Sequence, residues 1–210
     1  MREPIVRLIL LGHKAGVGKD TLAQEINTRL ESSHVIPFAG ALKRNVMWLY
    51  RLDRVQVYGD QKNEVDARYG LTPRQILQAF GQEQRARHSA IWIDHLLYAA
   101  HETWIMGLGF RHPPEPPTTD LTIIVPDFRF PNEFEALQER HAALELPFVM
   151  MYQAFRIDRE RDESFAGAKD ISETALDGWD KWTDILVNDG TPEDLYNKIK
   201  PWIELPESNA

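Results

Sequence analysis

The stretch that most narrows the fold is "LLGHKAGVGKDT", Leu10 to Thr21, where an apolar run breaks into glycines and resumes as Gly18-Lys19-Asp20-Thr21. Val6 to Leu11 has the length and character of a buried strand, and Leu22, Ala23, Ile26 and Leu30 recur beyond it at helical spacing. A strand, a glycine loop and a helix in that order form the setting a phosphate-binding loop requires. Amides turned inward by the glycines cradle phosphates, the lysine reaches the outer ones, and the helix N-terminus adds partial positive charge. The pattern is imperfect at two places. The glycine usual five residues before Gly18 is replaced by His13, with Gly12 one earlier, so either the loop is one residue longer or His13 stands in for the glycine. Asp20 occupies the place of the serine or threonine that normally completes a metal shell. A carboxylate in a first helical turn is favoured by the macrodipole even without metal, and Thr21 next door is the alternative hydroxyl.

The rest of the chain alternates in the same way. "HVIPF" reads as a second strand running into a helix "AGALKRNVMWLYRL". Thr72, Pro73 and Gln75 spell a helix start, and Ser89 is a candidate cap for an apolar helix through Ile105. After the proline-rich "RHPPEPPTTD" come the strands "LTIIV" and "PFVMMYQAF" around the helix "PNEFEALQER". The short strand "DILVN" and the closing helix "PEDLYNKIKPWI", begun by Thr191 and Pro192, end the order. Five strands interleaved with helices imply a three-layer α/β fold with a mostly parallel five-stranded sheet, ligands lying at the C-terminal strand ends.

Composition removes several classes. A chain of 210 residues suits a single domain, and 27% charged residues suit a soluble one, which predicts a cytoplasmic protein with no membrane partner. Without cysteine, any metal is held by oxygen. A net charge of -8 argues against a nucleic-acid partner, since such partners demand a basic surface.

"GKDT" after an apolar strand, "FAGALK", "TPRQILQAFGQEQRARHSAIWIDHL", "VPDFRFPNEFEAL", "DISETAL" and "ILVNDGTPEDLYNKI" occur here in one order. Together they resemble the phage-type deoxynucleoside monophosphate kinases, a branch of the P-loop nucleoside monophosphate kinases, over nearly the whole chain. The resemblance implies transfer of the γ-phosphoryl of ATP, with Mg2+, to a deoxynucleoside monophosphate, in host cytoplasm if the source is a phage. It also implies a single kinase domain, with a helical monophosphate-binding region over about 39–110, a lid over about 156–172 and a flexible tail over 204–210. Whether such a chain works as a homodimer stays open.

Candidate residues follow from that chemistry. An acceptor that is already a phosphate needs no general base, so the protein must position groups and neutralise charge. Ala15, Gly16, Val17, Gly18, Lys19, Asp20 and Thr21 are the ATP-contacting loop, with Asn188 and Asp189 resembling the loop that holds adenine. Asp20, Thr21 and Asp127 are the metal-side candidates. Lys19 and Arg129 are candidates to neutralise the transferred group, and Arg156, Arg159 and Arg161 are lid arginines, although their alternation with acids also fits a salt-bridged helix. Lys14, Lys43 and Arg129 suit an acceptor phosphate. Arg74, Gln78 and Arg85 fall on one helical face as a monophosphate and base reader, unless that face is simply solvated. Arg129 has the rival role of a surface ion pair with Glu133 or Glu135. A guanine-reading Asn-Lys-x-Asp motif is missing, and "IIVPD" lacks a following glutamate to activate water, which argues against switch GTPases and motor ATPases.

Overall fold

The computed structural model describes residues 4–106, 120–160 and 171–204. Five strands, β1 (Ile5–Gly12), β2 (Ser33–Val35), β3 (Leu121–Phe128), β4 (Val149–Asp158) and β5 (Asp184–Val187), form one sheet in the order β2-β3-β1-β4-β5. Every neighbouring pair is parallel, with Val6 opposite both Leu121 and Met150. A central strand of a parallel sheet is covered on both faces, which is why β1 reads as an unbroken apolar run. Ile9 and Leu11 point to one face, where helices α1 (Lys19–Arg29) and α8 (Pro192–Ile203) close a core containing Leu22, Ile26, Tyr196 and Ile199. Leu8 and Leu10 point the other way and are fully buried too. On that side α6 (Pro131–Leu144) covers β4, the Tyr152 hydroxyl donating to the Leu137 carbonyl and its ring lying 6.0 Å from Phe134. The fold is therefore three-layered α/β with an all-parallel five-stranded sheet, as the alternation of strands and helices predicts.

The chain divides into two compact units, Phe38–Leu97 and the remainder. The smaller unit is helical: α2 (Ala39–Tyr50), α3 (Arg54–Tyr58), a 3₁₀ turn (Asp60–Asn63), α4 (Pro73–Arg87) and the first half of α5 (Ile91–Met106). Its core is Val46, Leu52, Val57, Ile76 and Leu77. Helix α4 starts as the sequence dictates, Thr72 accepting from the Gln75 amide while the Gln75 side chain accepts from the Thr72 amide. A Cβ on Gly81 would lie 3.3 Å from Leu42, so the glycine sets how closely α4 approaches α2.

Several expectations need correction. Helix α5 does not begin at Ser89: Ala90 accepts the first helical bond, from Asp94, and His88 pairs with Asp94 at 2.7 Å. Helix α3, the 3₁₀ turn and a short helix α7 (Ile171–Thr174) were not expected. Arg156 belongs to β4 rather than to a lid. The remaining lid positions 161–170, including Arg161, most of "RHPPEPPTTD" and the tail 205–210 lie outside the described residues. No described helix is long and apolar enough to cross a membrane.

Candidate active site

The site is built where β1 ends. A Cβ on Gly12 would fall 2.7 Å from both Phe128 and Trp182, so only glycine lets the strand pass beneath that aromatic pair. Trp179 and Trp182 meet edge to face at 4.5 Å and both lean on Phe128, pinning the segment before β5 against the strand ends. The next residue settles the ambiguity of the glycine spacing. His13 itself adopts a left-handed backbone, φ 84, and Gly16 and Gly18 follow at φ 73 and 101. Gly12 is thus needed for close packing, while His13 takes the turn conformation that a glycine would take more cheaply. What holds a histidine there is its ring, which is 5% exposed. Nε2 lies 3.0 Å from Asp177 Oδ1, and Nδ1 lies 2.7 Å from Asp158 Oδ1 without hydrogen-bond alignment.

Lys19, the first residue of α1, folds back over the loop. Its ammonium donates to the carbonyls of His13 and Lys14 and is only 5% exposed. Burial pushes its pKa down to about 7, with Arg129 adding to the fall and Glu173, Asp20 and Asp127 opposing it. An anion placed beside a lysine so poised would restore its full charge.

Arg129, one residue past β3, is fixed at its backbone by Glu133, which accepts from its amide at 2.9 Å. Its guanidinium turns inward: Nη1 donates to the His13 carbonyl at 2.8 Å and to Glu173 Oε1 at 2.9 Å. In place of the rival surface ion pair with Glu133 or Glu135, the guanidinium makes a partly buried pair with Glu173, which is itself 7% exposed. The other carboxylate oxygen of Glu173 accepts from the Ala15 amide of the loop at 2.7 Å. Lys19, Arg129 and the loop thus converge on one spot, currently held by a carboxylate.

Asp127, at the end of β3, is close enough to act on Lys19. Asp20 and Thr21 are exposed in the first turn of α1. Asp20, like Asp127, acts on the Lys19 ammonium by its charge. Among the described residues no preformed cluster of three or more His, Asp or Glu is placed to hold a metal.

Beside the loop lies a cavity of about 380 Å³ lined by Lys14, Val17, Arg156, Asp158, Arg159 and Val187. Although burial pushes the Asp158 carboxyl up, Arg156 at 2.9 Å, with His13 adding, holds it below the usual carboxylate range. Asn188 joins this wall to the loop, its side-chain amide donating to the Val17 carbonyl at 2.8 Å and crowding the space a Cβ on Gly18 would need. Asp189 turns away into an ion pair with Lys198 at 2.5 Å.

Lys43, Arg74, Gln78 and Arg85 belong to the helical unit. There Arg74, Gln78 and Arg85 are exposed along α4, and the Lys43 ammonium sits 4.6 Å above the Tyr58 ring. The candidate set omitted His13, Asp158, Glu173 and Asp177. The glycine spacing marked His13; the acids lie 145 to 164 positions from it, beyond any local pattern.

No protein-family model matches the chain, and neither does any curated protein. Among solved structures, the tunicamycin resistance protein of Deinococcus radiodurans aligns over 98% of both chains, with 15% identity and a TM-score of 0.50. Shikimate kinase from Aquifex aeolicus aligns over 94% of this chain and 95% of its own, at 11% identity and a TM-score of 0.39. The first likeness bears on the fold alone.

Proposed function

We propose that the chain is a kinase that transfers the γ-phosphoryl of ATP to a deoxynucleoside monophosphate, giving the diphosphate and ADP. The observation that carries this reading is the convergence of Lys19 and Arg129 on the His13 carbonyl, at the mouth of a glycine loop opening helix α1. Two cations from separate elements face one loop that offers inward amides, which is what a transferring phosphoryl group requires. The acceptor phosphate has a second pKa of about 6, so it attacks as the anion and needs no base. Asp127 then serves to orient the metal's waters, with Asp20 or Thr21 on the metal side. Mg2+ would neutralise charge on the β and γ oxygens. The cavity lined by Val17, Arg159 and Val187, with Asn188 bonded to the Val17 carbonyl, suits the donor nucleoside, and Lys43, Arg74, Gln78 and Arg85 suit the acceptor.

The same chemistry would serve a ribonucleoside or modified-base monophosphate. The test is therefore ADP formation from ATP and Mg2+ across every deoxy- and ribonucleoside monophosphate, with water as the blank. Stimulation by deoxynucleoside monophosphates is expected. ADP formation that no monophosphate raises above the blank would replace the kinase by a nucleotide-hydrolysing enzyme.

A further inference from the structure

We propose that Glu173 occupies the γ-phosphate position of the nucleotide-free protein, and so makes the site favour diphosphate over triphosphate. The inference rests on the nucleotide reading of the same loop. Glu173 is a buried anion whose two oxygens take the partners a terminal phosphate would take: the Ala15 amide at 2.7 Å and the Arg129 guanidinium at 2.9 Å. Lys19 feels its charge as well. Position along the loop identifies which phosphate is mimicked. The loop's amides cradle the inner phosphates, whereas the lysine, which here shares the His13 carbonyl with Arg129, reaches the outer ones. Ala15 lies at the far side of the loop from α1, beside the His13 and Lys14 carbonyls on which the Lys19 ammonium rests. An ADP molecule fills the inner positions and leaves Glu173 in place. The third phosphate of ATP requires the same amide and guanidinium, and two anions cannot share them.

The segment carrying Glu173 is firmly seated. Leu176 is buried, Asp177 meets the His13 ring at 3.0 Å, and Trp179 packs 5.2 Å from Phe128. None of these anchors involves the Glu173 side chain, so its replacement leaves them untouched.

The experiment is calorimetric titration in EDTA with ADP and with a non-hydrolysable ATP analogue, on the wild type, Glu173→Gln and Glu173→Ala. Omitting metal removes any role of the carboxylate in holding Mg2+. Glu173→Gln keeps an acceptor for Ala15 but loses the charge. Both variants are expected to bind the triphosphate about tenfold tighter or more, the scale of one relieved like-charge contact, with ADP affinity within about twofold of wild type. ADP binding also certifies that the variants are folded. An unchanged triphosphate-to-diphosphate ratio overturns the proposal, as does equal weakening of both ligands. If the wild type binds neither nucleotide in EDTA nor with Mg2+ restored, the kinase reading falls and takes this proposal with it.

Discussion

At the residue scale the sharpest question is what Asp20 does at the start of α1, exposed and two positions past Gly18. If its carboxylate holds the metal directly or through water, Asp20→Ala should raise the Mg2+ concentration for half-maximal rate while leaving metal-free ATP binding intact or tighter. Asp20→Ser should restore much of the activity, a hydroxyl being the commoner solution. If Asp20 only favours the helix start, both variants lose about 0.3 to 1 kcal/mol of stability and keep the wild-type Mg2+ requirement. Titrating both beside Thr21→Val decides which side chain serves the metal. Arg129→Ala should lower turnover by about three to five orders if the guanidinium stabilises the transferred group. Because it also strands the buried Glu173 carboxylate, a thermal melt must accompany the rate. Lys19 adds a pH signature. Burial lowers its pKa from 10.5 to about 7 in the free protein, so between those values the unfolded chain binds more protons. Its contribution to folding stability accordingly rises with pH across that window. Phosphates favour the ammonium, so ATP binding should take up protons and weaken as pH rises above 7. Calorimetry in buffers of different ionisation enthalpy reads that uptake directly; none at pH 8 would contradict the buried-lysine assignment.

At the element scale the glycine loop works because three elements meet beneath it. Gly12→Ala would drive a methyl into Phe128, which is fully buried, and Trp182, which is partly buried, and should cost about 1 to 3 kcal/mol as overpacking. Chemical denaturation measures this, and a loss below about 0.5 kcal/mol would mean the aromatic pair yields. Much of this level was legible in the sequence. The strand, loop and helix around Gly18 are local patterns, and the starts of α4 and α8 carry their own capping boxes. Helix α3 was hidden because five residues are too few to display a period, although Asp53 and Gln56 do cap it. Glu173 and Asp177 were hidden for a different reason: they reach the loop through packing of Trp179 and Trp182, over some 160 residues of chain. Nothing local marks such a contact. Nor does sequence announce that a histidine, rather than a glycine, takes a positive φ.

At the scale of the whole molecule, alternating apolar runs were enough to imply a parallel sheet, because strands buried on both faces leave no polar alternation to misread. They could not imply the helical unit Phe38–Leu97 as a separate compact body, since helical periodicity looks the same in either. With a net charge of -8 on the full chain, the anionic substrates of the proposed reaction would be recruited by local cations, not by the overall field. On that reading phosphates would be met at the loop, by Lys19 and Arg129. The most direct test of the central claim follows the phosphoryl group itself. ATP labelled at the γ position is incubated with Mg2+ and each deoxynucleoside monophosphate, using the wild type and Lys19→Ala. The expected result is label in a deoxynucleoside diphosphate with the wild type and none with the variant. Label appearing only as inorganic phosphate, or transfer that survives in Lys19→Ala, would contradict it.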